Sequence, residues 1–264
     1  MTNTHKLAIG ITEGGDPAFG SWQSDLAAVD GAIVITKNLH DRLIADILDV
    51  NRTKPICVHA TCTGWGGTKM EPGVPSPEHQ LEQISKLIAA GFPRNRITLR
   101  IDPIIDIGNG VDVAASVAMA AVEKKILNPG ASDNIRLRVS IMDCYGHAQK
   151  RFQKRGIAIP PRGERFGQPA ASTIQKIIAA FKPLTDAGLE IETCAEALLK
   201  TNAGFVQHGC LSAYDLDVMG IAYNLNTLEK CRQRAACSCL GIKRELLPIK
   251  HPCPHQCAYC YWKD

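Results

Sequence analysis

Along the chain, short runs of β-branched and aliphatic residues alternate with longer segments whose apolar positions recur every three or four residues. The short runs fall at 6–12 (KLAIGIT), 31–37 (GAIVITK), 54–60 (KPICVHA), 96–102 (RITLRID), 135–143 (IRLRVSIMD), 189–194 (LEIETC), 204–209 (GFVQHG) and 244–250 (RELLPIK). Each predicts a buried strand. Between them, 76–92 (SPEHQLEQISKLIAAGF) predicts a helix with Ser76 as its cap, acid in its first turn and Gly91 as its stop; 111–127 and 171–188 have the same spacing. Strands alternating with helices predict a parallel sheet with right-handed crossovers. Eight such units close a (β/α)8 TIM-like barrel, with an open doubly wound sheet as the alternative. The stretch 147–169, dense in Lys, Arg, Gly and Pro, is expected to be an irregular insertion after the fifth strand.

Composition narrows this picture. The 264 residues, 45% of them hydrophobic, suit one α/β domain spanning 1–264. No run of about 18 apolar residues occurs and the start has no leader-like pattern, so a cytoplasmic protein without membrane association is expected. A net charge of +4 is too small to argue for nucleic acid by itself and is compatible with an anionic substrate. Eleven cysteines, an odd number, argue against a closed disulfide framework in a reducing compartment, which makes metal ligation their leading use.

In a barrel the loops after the strands make the active site. Asp16, His59, Thr61, Arg100, Asp102, Ser140, Asp143, Glu192, Cys194, Glu196, Gln207, His208 and Cys210 all fall near such ends. Taken singly, many would only satisfy local hydrogen bonds. At 253–264 the chain reads CPHQCAYCYWKD, in which Cys253, Cys257 and Cys260 have the spacing C-x3-C-x2-C. Three thiolates on a short irregular loop, 253–260, can bind three irons of a [4Fe-4S] cube and leave the fourth open. A structural zinc would need a fourth ligand, for which His255 is the nearest candidate.

This motif, with Tyr259 just before the third cysteine, resembles that of the radical S-adenosylmethionine (SAM) superfamily. The resemblance implies that the open iron chelates SAM, whose reductive cleavage yields a 5′-deoxyadenosyl radical that abstracts hydrogen from a substrate. It also implies a small reductant protein such as flavodoxin or ferredoxin as electron donor. The superfamily usually carries this loop after its first strand. A circular permutation, with 244–250 lying beside the first strand, would account for its late position here. TEGGDPAF then places Gly14, Gly15 and Asp16 where the superfamily's Gly-Gly-Glu motif holds the amino group of SAM; the same residues also read as a glycine turn with Asp16 as a helix cap. Tyr259 is expected against the adenine, and His59 and Thr61 near the ribose.

A closer resemblance, to the family called domain of unknown function 1848, spans nearly the whole chain. It rests on DPAFGSW (16–22), TGWGGTKMEPGVPSPE (63–78), LRIDPI (99–104), SIMDCYG (140–146), ETCAE (192–196), HGC (208–210), RQRAACSC (232–239) and CPHQCAYCYW (253–262). The chain departs from that family at TEGGD and ELLPI. The matching blocks add a second cysteine set, Cys194, Cys210, Cys237 and Cys239, expected as an auxiliary iron-sulfur cluster, a zinc site or unligated thiols. The expected function is a radical SAM enzyme acting on an anionic substrate such as a nucleotide or a nucleic-acid base. The alternatives are an iron-sulfur electron-transfer or redox-sensing protein and a zinc-stabilised binding module. The basic stretch 150–166, with Arg151, Lys154, Arg155, Arg162 and Arg165, is expected to overhang the site and hold the anion, or else to be a solvated loop.

Overall fold

A computed structural model describes residues 6–132, 134–163, 168–231, 237–247 and 253–262. Among these residues the strands are β1 (Ile9–Ile11), β2 (Gly31–Thr36), β3 (Ile56–Thr61), β4 (Ile97–Ile104), β5 (Arg136–Ile141), β6 (Ile191–Thr193), β7 (Val206–Gln207) and β8 (Lys243–Glu245). All pair in parallel, in the order β7-β6-β5-β4-β3-β2-β1-β8. Every predicted strand is present. The last is shorter than its sequence pattern, although Leu246 N still donates to Ile11 O at 2.9 Å. Residues 248–250 of that pattern, and 164–166 of the basic stretch, lie outside the described residues.

The sheet is curled. A flat sheet in this order would hold β7 and β8 seven strand spacings apart, roughly 34 Å. Instead Leu211, four residues past β7, accepts a bond from Leu240 N at 3.0 Å, and Ile242 accepts one from Ile9 N at 2.9 Å on β1. Residues 240–242 thus connect the two edges, although no β7–β8 ladder bond is recorded among the described residues.

Helices α1 (Asp41–Val50), α2 (Pro77–Ala89), α3 (Gly110–Glu123), α4 (Gly146–Lys154), α5 (Ala171–Asp186), α6 (Ala197–Ala203) and α7 (Ala213–Met219) follow the strands. Helix α2 starts where its cap predicts, with the Ser76 hydroxyl accepting from His79 N, and Gly91 turns the chain at φ +86°. Helix α4 is a correction, because it occupies part of the stretch expected to be irregular. Its buried Ala148 and Phe152, one turn apart, give it an apolar stripe that its many Lys and Arg residues obscure in the sequence.

Period-two alternation separates the two faces of the sheet. Val58, Ala60, Leu99, Ile101, Leu137 and Val139 pack in the main core with residues of the helices. The other face divides in two. Ile9, Ile11 and Ile33 make it apolar on β1 and β2, whereas β3 to β6 bury His59, Arg100, Arg138 and Glu192. Arg138 donates through Nε and Nη2 to Glu192 Oε2 at 2.8 and 2.6 Å. Ions buried inside a sheet are a poor way to stabilise it.

Glu192 gives the first prediction. Burial would raise its pKa, but Arg138 and Arg136 outweigh that and hold it below the ordinary carboxylate value. A depressed folded-state pKa adds stability that is complete above the unfolded value near 4.3 and disappears as pH falls through the folded value. Glu192→Gln should therefore flatten the acid limb of the stability curve by up to about 1.4 kcal/mol per pH unit. Urea midpoints measured from pH 6 down to pH 3 will show this; parallel curves for the two proteins would contradict it.

Candidate functional site

The loop carrying Cys253, Cys257 and Cys260 lies at the C-terminal end of the sheet, tied to loops that follow other strands. Gln256, at φ +49°, turns it; Gln256 N donates to Cys253 O and Cys260 N to Cys257 O, each at 3.2 Å. The segment after β3 runs alongside. Ala258 N donates to Met70 O at 2.9 Å and Gly73 N to His255 O at 3.2 Å. Gly73 is needed for this approach, since a Cβ there would lie 2.0 Å from Pro254 O.

Two buried polar anchors fasten the loop. At the first, the His255 ring is fully used, with Nε2 2.7 Å from Asp16 Oδ2 and Nδ1 2.9 Å from Gly73 O. Asp16 also accepts from Ala18 N, Thr36 Oγ1 and Lys37 N at 2.7–2.9 Å. Asp16 is therefore the cap that one reading of the sequence gave, and its carboxylate is spent within the protein. Phe19 packs edge-on to His255, with ring centroids 5.1 Å apart.

The second anchor is Glu71, wholly buried after β3. It accepts from Lys37 Nζ at 2.9 Å, from Thr63 Oγ1 at 2.6 Å and from the Tyr259 hydroxyl, which Lys37 Nζ also approaches at 2.7 Å. Burial opposes the charge on Glu71, but Lys37 and the Thr63 and Tyr259 bonds outweigh it, so its pKa is lowered. Burial, with Glu71 beside it, pushes the Tyr259 phenol well up and keeps it protonated. Tyr259 is thus a buried peg as well as a motif aromatic. On the other side, Arg151 of α4 donates to Cys260 O at 2.7 Å and to Trp262 O, while Tyr261 OH reaches Glu13 O at 2.8 Å.

Gly14 and Gly15 lie beside this loop. Gly14 N and Glu13 N donate to Glu245 Oε2 at 2.8 and 3.0 Å, and a Cβ on Gly14 would lie 2.4 Å from Leu247 O. The basic stretch borders the loop as expected, but Arg151 and Arg155 are engaged with backbone carbonyls, Arg155 with Lys69 O at 3.0 Å. Sequence reasoning missed Lys37, Thr63 and Glu71. The available signal was that Thr63 and Glu71 both stand in the family-like block TGWGGTKMEPGVPSPE.

Three thiols are the donor chemistry that an iron-sulfur cluster takes. Cys253, Cys257 and Cys260 act on one another electrostatically, and burial raises the Cys257 thiol to about 12, against which Lys37 acts. Metal binding would therefore release protons. Among the described residues no three His, Cys, Asp or Glu side chains converge as a complete metal-binding group.

The second cysteine set is partly assembled. Cys210 N donates to Cys239 Sγ at 3.1 Å, and Gly209 leaves room for the Cys239 backbone, which a Cβ would meet at 2.6 Å. Hydrogen bonds from the Cys194 and Cys239 thiols, with Arg100 and Arg138 nearby, hold Cys210 well below the ordinary thiol value. Cys237 belongs to the same cluster but is half-buried.

Fold and site together define an α/β protein whose single parallel sheet carries a three-cysteine loop at its C-terminal end. Residues 16–262 match the family described as Domain of unknown function (DUF1848), and the chain belongs to that family. No curated protein matches the sequence. Among the described residues no helix is long and apolar enough to cross a membrane.

Proposed function

We propose that the chain is a radical SAM enzyme on a (β/α)8 TIM-like barrel, permuted so that the strand preceding the cluster loop comes last in sequence. The observation that carries this reading is the seating of loop 253–260, whose backbone and whose His255 and Tyr259 side chains are held by residues following β1, β2, β3 and β5. A loop serving only as a tail would not need buried anchors at Asp16 and Glu71. The facing sheet edges and the parallel β8–β1 pair support the barrel and its permutation.

In this reading Cys253, Cys257 and Cys260 hold a [4Fe-4S] cluster whose open iron takes SAM. When bound, the pair supplies a low-potential electron and a sulfonium bond whose cleavage generates a hydrogen-abstracting species. The chain's own residues orient and exclude water. Glu71, Lys37 and His255 fix the loop, Thr61 offers a polar surface to the ribose and Tyr259 an edge to the adenine. With the Asp16 carboxylate spent, the backbone carbonyls of Gly14 and Gly15 would accept from the amino end. A reductant protein such as flavodoxin or ferredoxin supplies the electron from outside.

An electron-transfer protein with the same cluster is the second reading, and SAM binding separates the two. Electron paramagnetic resonance of the reduced, anaerobically reconstituted protein should show a [4Fe-4S]+ signal that changes on adding SAM. A cluster signal indifferent to SAM would favour the carrier. At this loop the zinc-module reading loses His255 as its fourth ligand, because both ring nitrogens are engaged.

The N–H···S bond from Cys210 to Cys239, and the adjoining Cys194 thiol, favour a second metal held with Cys237, either zinc or an auxiliary cluster. Protein lacking Cys253, Cys257 and Cys260 should then retain metal, lost on further replacing Cys210 and Cys239. Metal analysis finding none in the first variant would remove the second site.

A further inference from the structure

The inner face of the sheet holds a polar group that protein contacts leave incomplete. His59 on β3 is wholly buried, yet neither ring nitrogen has a hydrogen-bond partner among the described residues. On the neighbouring strands, Arg100 Nε and Arg138 Nη1 are also buried without partners. A buried donor left unmatched carries its desolvation cost without return.

The register adds a second, independent observation. Arg100 and Arg138 are direct cross-strand partners on β4 and β5, and His59 lies two residues lower on the same face, opposite Thr98. Like charges opposite one another destabilise a sheet unless something of opposite sign lies between them. Their carboxylates do not fill that role completely. Arg100 bonds Asp102, which also takes the Ser140 hydroxyl, and Arg138 bonds Glu192, each arginine keeping a spare N–H. The local field is positive enough to be felt by His59, which burial first, then Arg138, Arg100 and Arg136, keep neutral. Arg100 acts electrostatically on Lys37 and Tyr261 beside the cysteine loop and also on Cys210, so it lies within reach of both cysteine sets.

We propose that His59, Arg100 and Arg138 form an oxyanion site that receives a carboxylate or phosphate group inside the sheet. Two arginines and an imidazole are well matched to such a group. This relocates anion recognition from the basic stretch, whose Arg151 bonds the cysteine loop and whose Arg155 bonds Lys69 O. The oxyanion belongs either to the substrate or to the carboxylate of SAM; the assignment as a reactant site rests on the radical SAM reading, whereas oxyanion binding itself does not.

The test uses the full chain, labelled with 15N-histidine, and follows the His59 ring nitrogens, assigned by comparison with His59→Gln. Inorganic phosphate and acetate are titrated separately. Either should shift the His59 nitrogens saturably, and Arg138→Lys or Arg100→Lys should weaken that binding at least tenfold. Using both lysine variants guards against one failing to fold. A third arm adds SAM to cluster-loaded protein. Loss of the phosphate response there would assign the site to the cofactor's carboxylate; an unchanged response would assign it to the substrate. No His59 shift with phosphate or acetate would overturn the proposal and leave the nitrogens to internal water. Because those two arms need neither cluster nor SAM, their failure is distinct from failure of the radical SAM reading.

Discussion

Protein in which Cys253, Cys257 and Cys260 are all replaced by alanine is expected to lose the loop's iron-sulfur absorbance and all SAM cleavage while keeping its fold. The effect should be total because three thiolates are the minimum that holds the cube with one iron open. The fold should survive because Cys253 is exposed, Cys257 and Cys260 are half-buried, and the loop's anchors are His255 and Tyr259. Far-ultraviolet circular dichroism checks the fold, and iron, sulfide and cleavage assays check the site. Cleavage at the parent rate would show that these thiols are not the ligands.

The second large effect is expected at Glu71. Glu71→Gln keeps the size of the side chain but leaves the Lys37 ammonium, only 19% exposed, without its counter-charge. Removing one partner of a buried pair costs about 3–5 kcal/mol, which corresponds to a fall in melting temperature on the order of 10 °C in a domain of this size. It should also release Tyr259 and lower the iron bound per chain. The control is Lys86→Ala, which breaks a pair with Asp41 at the same 2.9 Å but with both side chains more than half exposed. That change should be almost silent. Equal melting shifts for the two variants would refute the anchoring role of Glu71.

These expectations draw unequally on sequence and structure. The strands were legible because each is a compact apolar run between turn residues, and α2 because its cap and stop are both local. Helix α4 was obscured by surface charge that says nothing about its buried stripe of Ala148 and Phe152. The three-cysteine loop was legible from spacing alone. Its anchors were not, because Asp16, Lys37, Glu71 and His255 come from four separate parts of the chain and meet only when the strands align. Gly14 looked like a turn residue, yet what it provides is close approach to Leu247, as Gly73 does to Pro254. The arginines fared similarly. Arg151 and Arg155 of the basic stretch were conspicuous in the sequence and bond backbone carbonyls, whereas Arg100 and Arg138 sit inside strands and gain meaning from the register that pairs them.

The most direct measurement is product analysis after anaerobic reduction of the cluster-loaded chain with SAM. The radical SAM reading predicts 5′-deoxyadenosine and methionine in equal amounts, absent when Cys253, Cys257 and Cys260 are replaced. Intact SAM after reduction of a protein that binds it and shows the [4Fe-4S]+ signal would contradict it.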